Sequence, residues 1–133
     1  MNKEMQMNIP SEIGNIVKVE NFIDSLAENF GLATEQLGNI SLSVIEAVNN
    51  AILSGNKQDE NKHVTITAKQ EDNKIFITIQ DEGDGFDYEN IPDPTLPDNL
   101  HKVTGRGLFV MKMLSDEMIF EENGSKVTLV FNL

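Results

Sequence analysis

Cysteine is absent from this chain, which excludes disulfides and thiolate metal sites. Positive charge is scarce. Ten Lys plus Arg stand against 22 Asp plus Glu, a net charge of -12 at pH 7. That balance argues against nucleic acid as the main partner, because phosphate contacts need clustered positive charge. Long apolar runs are lacking as well: nothing approaches the roughly 20 residues that span a membrane. The opening Met1-Asn2-Lys3-Glu4 carries no apolar signal core, so the plain reading is a soluble, cytoplasmic protein. The two histidines, His63 and His101, stand apart without partners at ligand spacing and do not read as a metal site. Arginine is the rarest basic residue, present only as Arg106. Asn123-Gly124-Ser125 fits a glycosylation pattern, which means little without a secretory signal.

What remains is enough for one domain, residues 1–133, with a real core. Met5 and Met7 flank Gln6 in a short alternating segment that Pro10 stops, a candidate edge strand. From Ser11 to Phe30 apolar residues recur at three and four, as on an amphipathic helix, and Gly31 is its stop. Thr34 can cap a second helix that runs to about Ser54, with Gly55 just beyond. Val64 to Ala68 and Lys74 to Gln80 read as a hairpin, and Met118 to Glu121 and Lys126 to Leu133 as another around Asn123-Gly124.

Three motifs interrupt this regular pattern. In the second helix, Leu37, Ile40, Val44, Val48 and Ala51 form the stripe expected to lie on a sheet. At about 100° per residue, Glu46 and Asn50 fall nearly opposite that stripe, one turn apart. A carboxylate and an amide so placed can deprotonate a nucleophile and offer an oxygen to a hard cation. The same spacing also fits two exposed polar residues.

The second motif is Asp81-Glu82-Gly83-Asp84-Gly85-Phe86. Ile75, Ile77 and Ile79 share one strand face, and the two-residue period carries that face on to Asp81. The glycines let the backbone turn sharply beside an inward carboxylate, which suits a flat polar ligand. Alone, the hexapeptide fits an ordinary strand-to-loop turn equally well.

The third is Thr104-Gly105-Arg106-Gly107, which opens an apolar helix from Leu108 to Leu114. Glycines at a helix start leave backbone N–H groups free to meet an anion, and arginine offers planar, multi-donor contact with phosphate. Between the second and third motifs, Pro92, Pro94 and Pro97 forbid a helix or central strand, so residues of about 87–106 read as a lid.

In this order Glu46-Ala47-Val48-Asn49-Asn50-Ala51, Asp81 to Phe86 and Gly105-Arg106-Gly107-Leu108 resemble the nucleotide-binding boxes of the GHKL superfamily. The short lid, the Gly-Arg-Gly-Leu turn and the small size look most like the bacterial anti-sigma factor serine kinases. The resemblance spans nearly the whole chain. It implies an α+β fold, a two-layer sandwich of a mixed, mostly antiparallel sheet with helices on one face.

The resemblance also implies roles. Asp81 would accept a hydrogen bond from the adenine amino group of ATP, with Gly83 and Gly85 shaping the turn beneath the base. Asn50 would bind Mg2+, and Glu46 would be the general base for a protein hydroxyl. Thr104, Gly105, Arg106 and Gly107 would cradle the phosphates, Arg106 acting also in catalysis. Ser125 would stand near adenine. The implied partners are an anti-sigma factor antagonist of the STAS type as substrate and a sigma factor as client, with a homodimer compatible. One departure concerns Ser54, where many of these kinases have His. A non-catalytic, nucleotide-dependent binding switch is the alternative.

Overall fold

The computed structural model describes residues 3–84 and 103–133, and for 103–106 the backbone alone. Among the described residues a five-stranded sheet is covered on one face by helices. The elements in chain order are β1 (Lys3–Pro10), α1 (Ile16–Phe30), α2 (Thr34–Asn50), β2 (His63–Glu71), β3 (Lys74–Gln80), α3 (Val103–Leu114), β4 (Glu117–Glu121) and β5 (Lys126–Asn132). The strand order is β1-β2-β3-β5-β4. All four pairings are antiparallel, so the mostly antiparallel sheet expected from the resemblance is present, with no parallel pair among the described strands. Each β-β connection within a hairpin is short, and the helices precede or separate hairpins rather than linking parallel strands.

Period-two alternation decides which face is covered. Ile75, Ile77 and Ile79 of β3 are buried, as are Val64, Ile66 and Ala68 of β2 and Val127, Leu129 and Phe131 of β5. The α2 stripe lies against them, with Ile40, Val44, Val48 and Ala51 all buried. Burying each Val, Ile, Leu or Phe of this set stabilises the fold by about 1.5–3 kcal/mol, which makes this layer contact the main source of stability. β1 is an edge strand, as its closing proline suggests, and it is longer than the Met5–Met7 segment.

Four helix boundaries differ from the sequence expectation, each for a physical reason. α1 begins at Ile16, after a 3-10 turn over Ile13–Asn15, rather than at Ser11. The Ser11 hydroxyl is committed elsewhere, donating to the Lys62 carbonyl at 2.7 Å, and the Asn15 amide donates to the Pro10 carbonyl at 2.9 Å. At its other end Gly31 adopts a left-handed conformation (φ 66°), the expected stop. In α2 the residue at the cap is Ala33, not Thr34, and the Gln36 side chain accepts its N–H at 2.9 Å. The far end of α2 widens into a π-turn over Ala51–Gly55, where the Asn56 N–H donates to the Ala51 carbonyl at 2.8 Å.

α3 starts at Val103, so the glycine motif forms its first turns instead of preceding it. Each helical glycine costs only about 1 kcal/mol, and the buried Leu108 and Met111 on the same helix outweigh that. Residues 103–106, the end of the expected lid, are therefore helical. The rest of the lid, and with it Gly85, lies outside the described residues.

Candidate functional site

The site begins with register. The β3–β5 pairing sets Ile79 opposite Val127 and Gln80 opposite Lys126, so the chain leaves the sheet with Asp81 beside Ser125. The Asp81 N–H donates to the Ser125 carbonyl at 2.9 Å. Asp81 keeps the inward direction of Ile75, Ile77 and Ile79 and is half-buried. Its Oδ1 accepts the Gly83 N–H at 2.8 Å, the tight turn that the sequence suggests. Burial pushes the Asp81 carboxyl above its ordinary range. The Gly83 N–H and the positive charge of Lys62 pull the other way without cancelling it.

The end of α2 closes against this turn. A β-carbon on Gly55 would lie 2.5 Å from Asp81 Cγ and 2.8 Å from Oδ1, inside any allowed contact. A β-carbon on Gly83 would lie 2.6 Å from the Gly55 carbonyl carbon. Two glycines are thus required for the α2 exit and the Asp81 turn to touch. The sequence marks Gly55 only as a helix stop; its contact with Asp81 depends on the π-turn, which no local signal announces.

Between α2, α3 and the sheet runs a narrow cleft with about 40 Å³ of accessible room. Its apolar walls include Ala47 and Ala51 of α2, Ile79 and Val127 of the strands, and Leu108 and Met111 of α3. The polar lining comes from Asp81, Ser125, Ser54 and Asn50. An apolar slot with one carboxylate inside it fits a flat ring carrying a hydrogen-bond donor. The small side chains of Ala47 and Ala51, one turn apart, are the signal in the sequence that a flat wall would form there.

At the α2–α3 junction stand the carboxylate and amide. Glu46 and Asn50 are both partly buried, and Gly107 faces them. A β-carbon on Gly107 would lie 2.9 Å from Glu46 Oε2, 3.1 Å from Asn50 Nδ2 and 3.4 Å from Asn50 Oδ1. The structure therefore brings the first and third motifs into direct contact. Asn50 Nδ2 is buried and finds no hydrogen-bond partner among the described residues. Leaving such a group unpaired costs about 1–3 kcal/mol, the kind of cost that a ligand-binding site carries.

Other expectations fall less simply. Ser125 does line the cleft, but its hydroxyl donates to the Glu122 carbonyl at 2.8 Å and its main contribution is the carbonyl that holds Asp81. Ser54 is exposed and lines the cleft. Thr104, Gly105 and Arg106 lie on the first turn of α3, one to three residues from Gly107; the side chains of Thr104 and Arg106 are outside the described residues. No helix among the described residues is long and apolar enough to cross a membrane.

The sequence is similar to a known group of proteins. The model of the histidine kinase-like ATPase domain matches residues 9–131. The anti-sigma F factor of Geobacillus stearothermophilus is 31% identical over 134 residues, covering 98% of this chain and 91% of that protein. The serine-protein kinase RsbW of Bacillus subtilis is 26% identical over 133 residues, covering 94% of this chain and 81% of that protein. The anti-sigma F factor of Geobacillus kaustophilus is 36% identical over 100 residues, covering 73% of this chain and 68% of that protein.

Proposed function

We propose, from the premise that this chain belongs to the histidine kinase-like ATPase family, that it is an ATP-dependent protein serine kinase of the anti-sigma-factor kind. The observation that carries the reading is the cleft itself: Asp81 lies along it, Asn50 also lines it, and Gly107 packs against both Asn50 and Glu46. Fold alone would leave the chemistry open, because one fold serves many activities. The residues at the two ends narrow it.

Asp81 accepts a hydrogen bond from the adenine amino group while the apolar walls enclose the ring. The turn at Gly83 packs on Gly55 and so holds the Asp81 carboxylate at the cleft. Ser125 supports this end through the backbone of Asp81. At the other end, Thr104 and Gly105 lie in the first turn of α3, where unpaired helix N–H groups and the dipole favour an anion, and Arg106 and Gly107 follow them. Among the described residues no basic side chain lines the cleft, so neutralising a triphosphate calls for Arg106 and a cation.

The donor set fits magnesium: a hard cation takes oxygen ligands, and Asn50 offers a side-chain oxygen beside Gly107. When bound, magnesium supplies charge neutralisation on the phosphates. Glu46 takes the proton of a serine or threonine hydroxyl as that oxygen bonds to the γ-phosphorus and ADP departs with the bridging oxygen. Arg106 steadies the charge on the transferred group.

The acceptor is a serine or threonine of an anti-sigma factor antagonist of the STAS type, with a sigma factor as the protein sequestered in exchange, in the cytoplasm. The kinase works as a homodimer or a monomer on this scheme. The experiment is ATP calorimetry with and without magnesium, followed by transfer of labelled phosphate to a STAS-type antagonist. Wild type binds in a magnesium-dependent way, and Asn50→Ala weakens binding at least tenfold. Glu46→Gln binds ATP as wild type does, yet transfer falls by about 10²–10⁴. Binding without transfer by wild type would leave a nucleotide-dependent switch; no binding at any magnesium concentration would end the proposal.

A further inference from the structure

Asn56 has no part in this scheme, yet it is 1% exposed and every hydrogen bond of its side chain reaches another segment. Its Nδ2 donates to Ser11 Oγ at 2.7 Å and to the His63 carbonyl at 3.0 Å. Its Oδ1 accepts the Glu82 N–H at 2.7 Å. Ser11 Oγ passes its own hydrogen on to the Lys62 carbonyl. One amide thus ties the end of β1, the start of β2 and the turn after β3 to the exit of α2. Both of its N–H groups are used, as a buried amide requires.

Two of these three arms serve the junction of β1 with β2. The third is different, because it grips the N–H of the residue between Asp81 and Gly83. The flanking contacts leave that arm no slack. Gly55, just before Asn56, abuts the Asp81 carboxylate, and Gly83, just after Glu82, abuts the Gly55 carbonyl. Residues 55–56 and 81–83 therefore touch along their whole length.

We infer that Asn56 is a positioning residue for base recognition: through the backbone of Glu82 it fixes where the Asp81 carboxylate stands in the cleft. This rests on the proposed role of Asp81 towards the adenine amino group. Asn56 does not itself line the cleft. A change there alters the choice between bases and spares the grip on phosphates, since no hydrogen bond of the Asn56 side chain reaches Asn50 or Gly107.

The test compares Mg-ATP with Mg-ITP, which carries a carbonyl in place of the adenine amino group. Affinities are measured by calorimetry, and Tm without ligand, for wild type, Asn56→Ala, Asn56→Asp, Ser11→Ala and Asp81→Asn. Wild type favours ATP by about tenfold or more, the worth of one hydrogen bond to a charged acceptor. Asn56→Ala brings the two affinities to within about threefold by losing ATP affinity, with ITP affinity unchanged. Asn56→Asp keeps an acceptor for the Glu82 N–H and restores most of the preference. Ser11→Ala lowers Tm and leaves the preference intact.

Equal loss of both nucleotides in Asn56→Ala overturns the inference, since that is what a role in folding alone produces. If the alanine variant does not fold, Asn56→Ser, too short to reach Glu82, takes its place with the same two outcomes. A wild type indifferent to the base, or an Asp81→Asn variant with the wild-type preference, overturns the reading of Asp81 and this inference with it.

Discussion

Gly107 and Glu46 meet across the α2–α3 contact so closely that a β-carbon on the glycine would lie 2.9 Å from Glu46 Oε2. Gly107→Ala has two opposed effects. Within a helix, alanine gains about 1 kcal/mol over glycine. The added methyl meets the end of a flexible side chain and must displace it by a few tenths of an ångström. We expect stability within about 1 kcal/mol of wild type and a transfer rate reduced at least tenfold, because the displaced group is the proposed base. Urea unfolding and single-turnover transfer measure the two separately.

Gly55→Ala meets something less forgiving. Asp81 is held by its N–H to Ser125 and by its Oδ1 to Gly83, so its carboxylate has nowhere to retreat. The overlap at 2.5 Å from Cγ forces the α2 exit and the turn apart. Overpacking of this kind costs about 1–3 kcal/mol. Calorimetry should show ATP affinity down at least tenfold alongside that loss. Unchanged affinity would mean that the contact between these segments is not needed for binding.

The Asp81 carboxyl gives a pH dependence with a definite sign. Burial raises its folded pKa above the unfolded value, so folding favours the protonated form. Stability contributed by this group is full below the unfolded pKa, about 3.9. It is lost as pH rises through the raised folded pKa. Asp81→Asn removes the titration while an amide oxygen can still accept the Gly83 N–H. The ligand-free variant should equal or exceed wild type in stability at pH 7, with any advantage shrinking as pH falls towards 4, and ATP affinity at pH 7 should drop at least tenfold. A variant less stable than wild type at pH 7 would contradict the assignment.

Much of this was legible in the sequence because it depends on local period. Ile75, Ile77 and Ile79 aim Asp81, and the four-residue step joins Glu46 to Asn50; both follow from strand and helix geometry alone. The π-turn over Ala51–Gly55 was not legible. It arises because Asn56 is drawn to Ser11, His63 and Glu82, partners up to 45 positions away in the chain. Likewise Gly55 reads as a helix stop until Asp81 is seen beside it. The start of α3 at Val103 was missed because glycines weaken a helix locally, while its anchors at Leu108 and Met111 take effect only through contact with the rest of the fold.

The place of β3 in the sheet has a consequence for how defects propagate. Asp81 hangs from a strand with neighbours on both sides, β2 and β5, not from either edge. Its main chain is therefore anchored at the middle of the sheet, and only the turn that follows it can shift while the sheet stays whole. A core substitution remote from the cleft, in Ile66 or Leu129 for instance, would lower the number of competent molecules without altering any of them. Each surviving molecule would still recognise its nucleotide with full fidelity. Damage to this protein should thus take two separable forms, too few good copies or a full complement of altered ones.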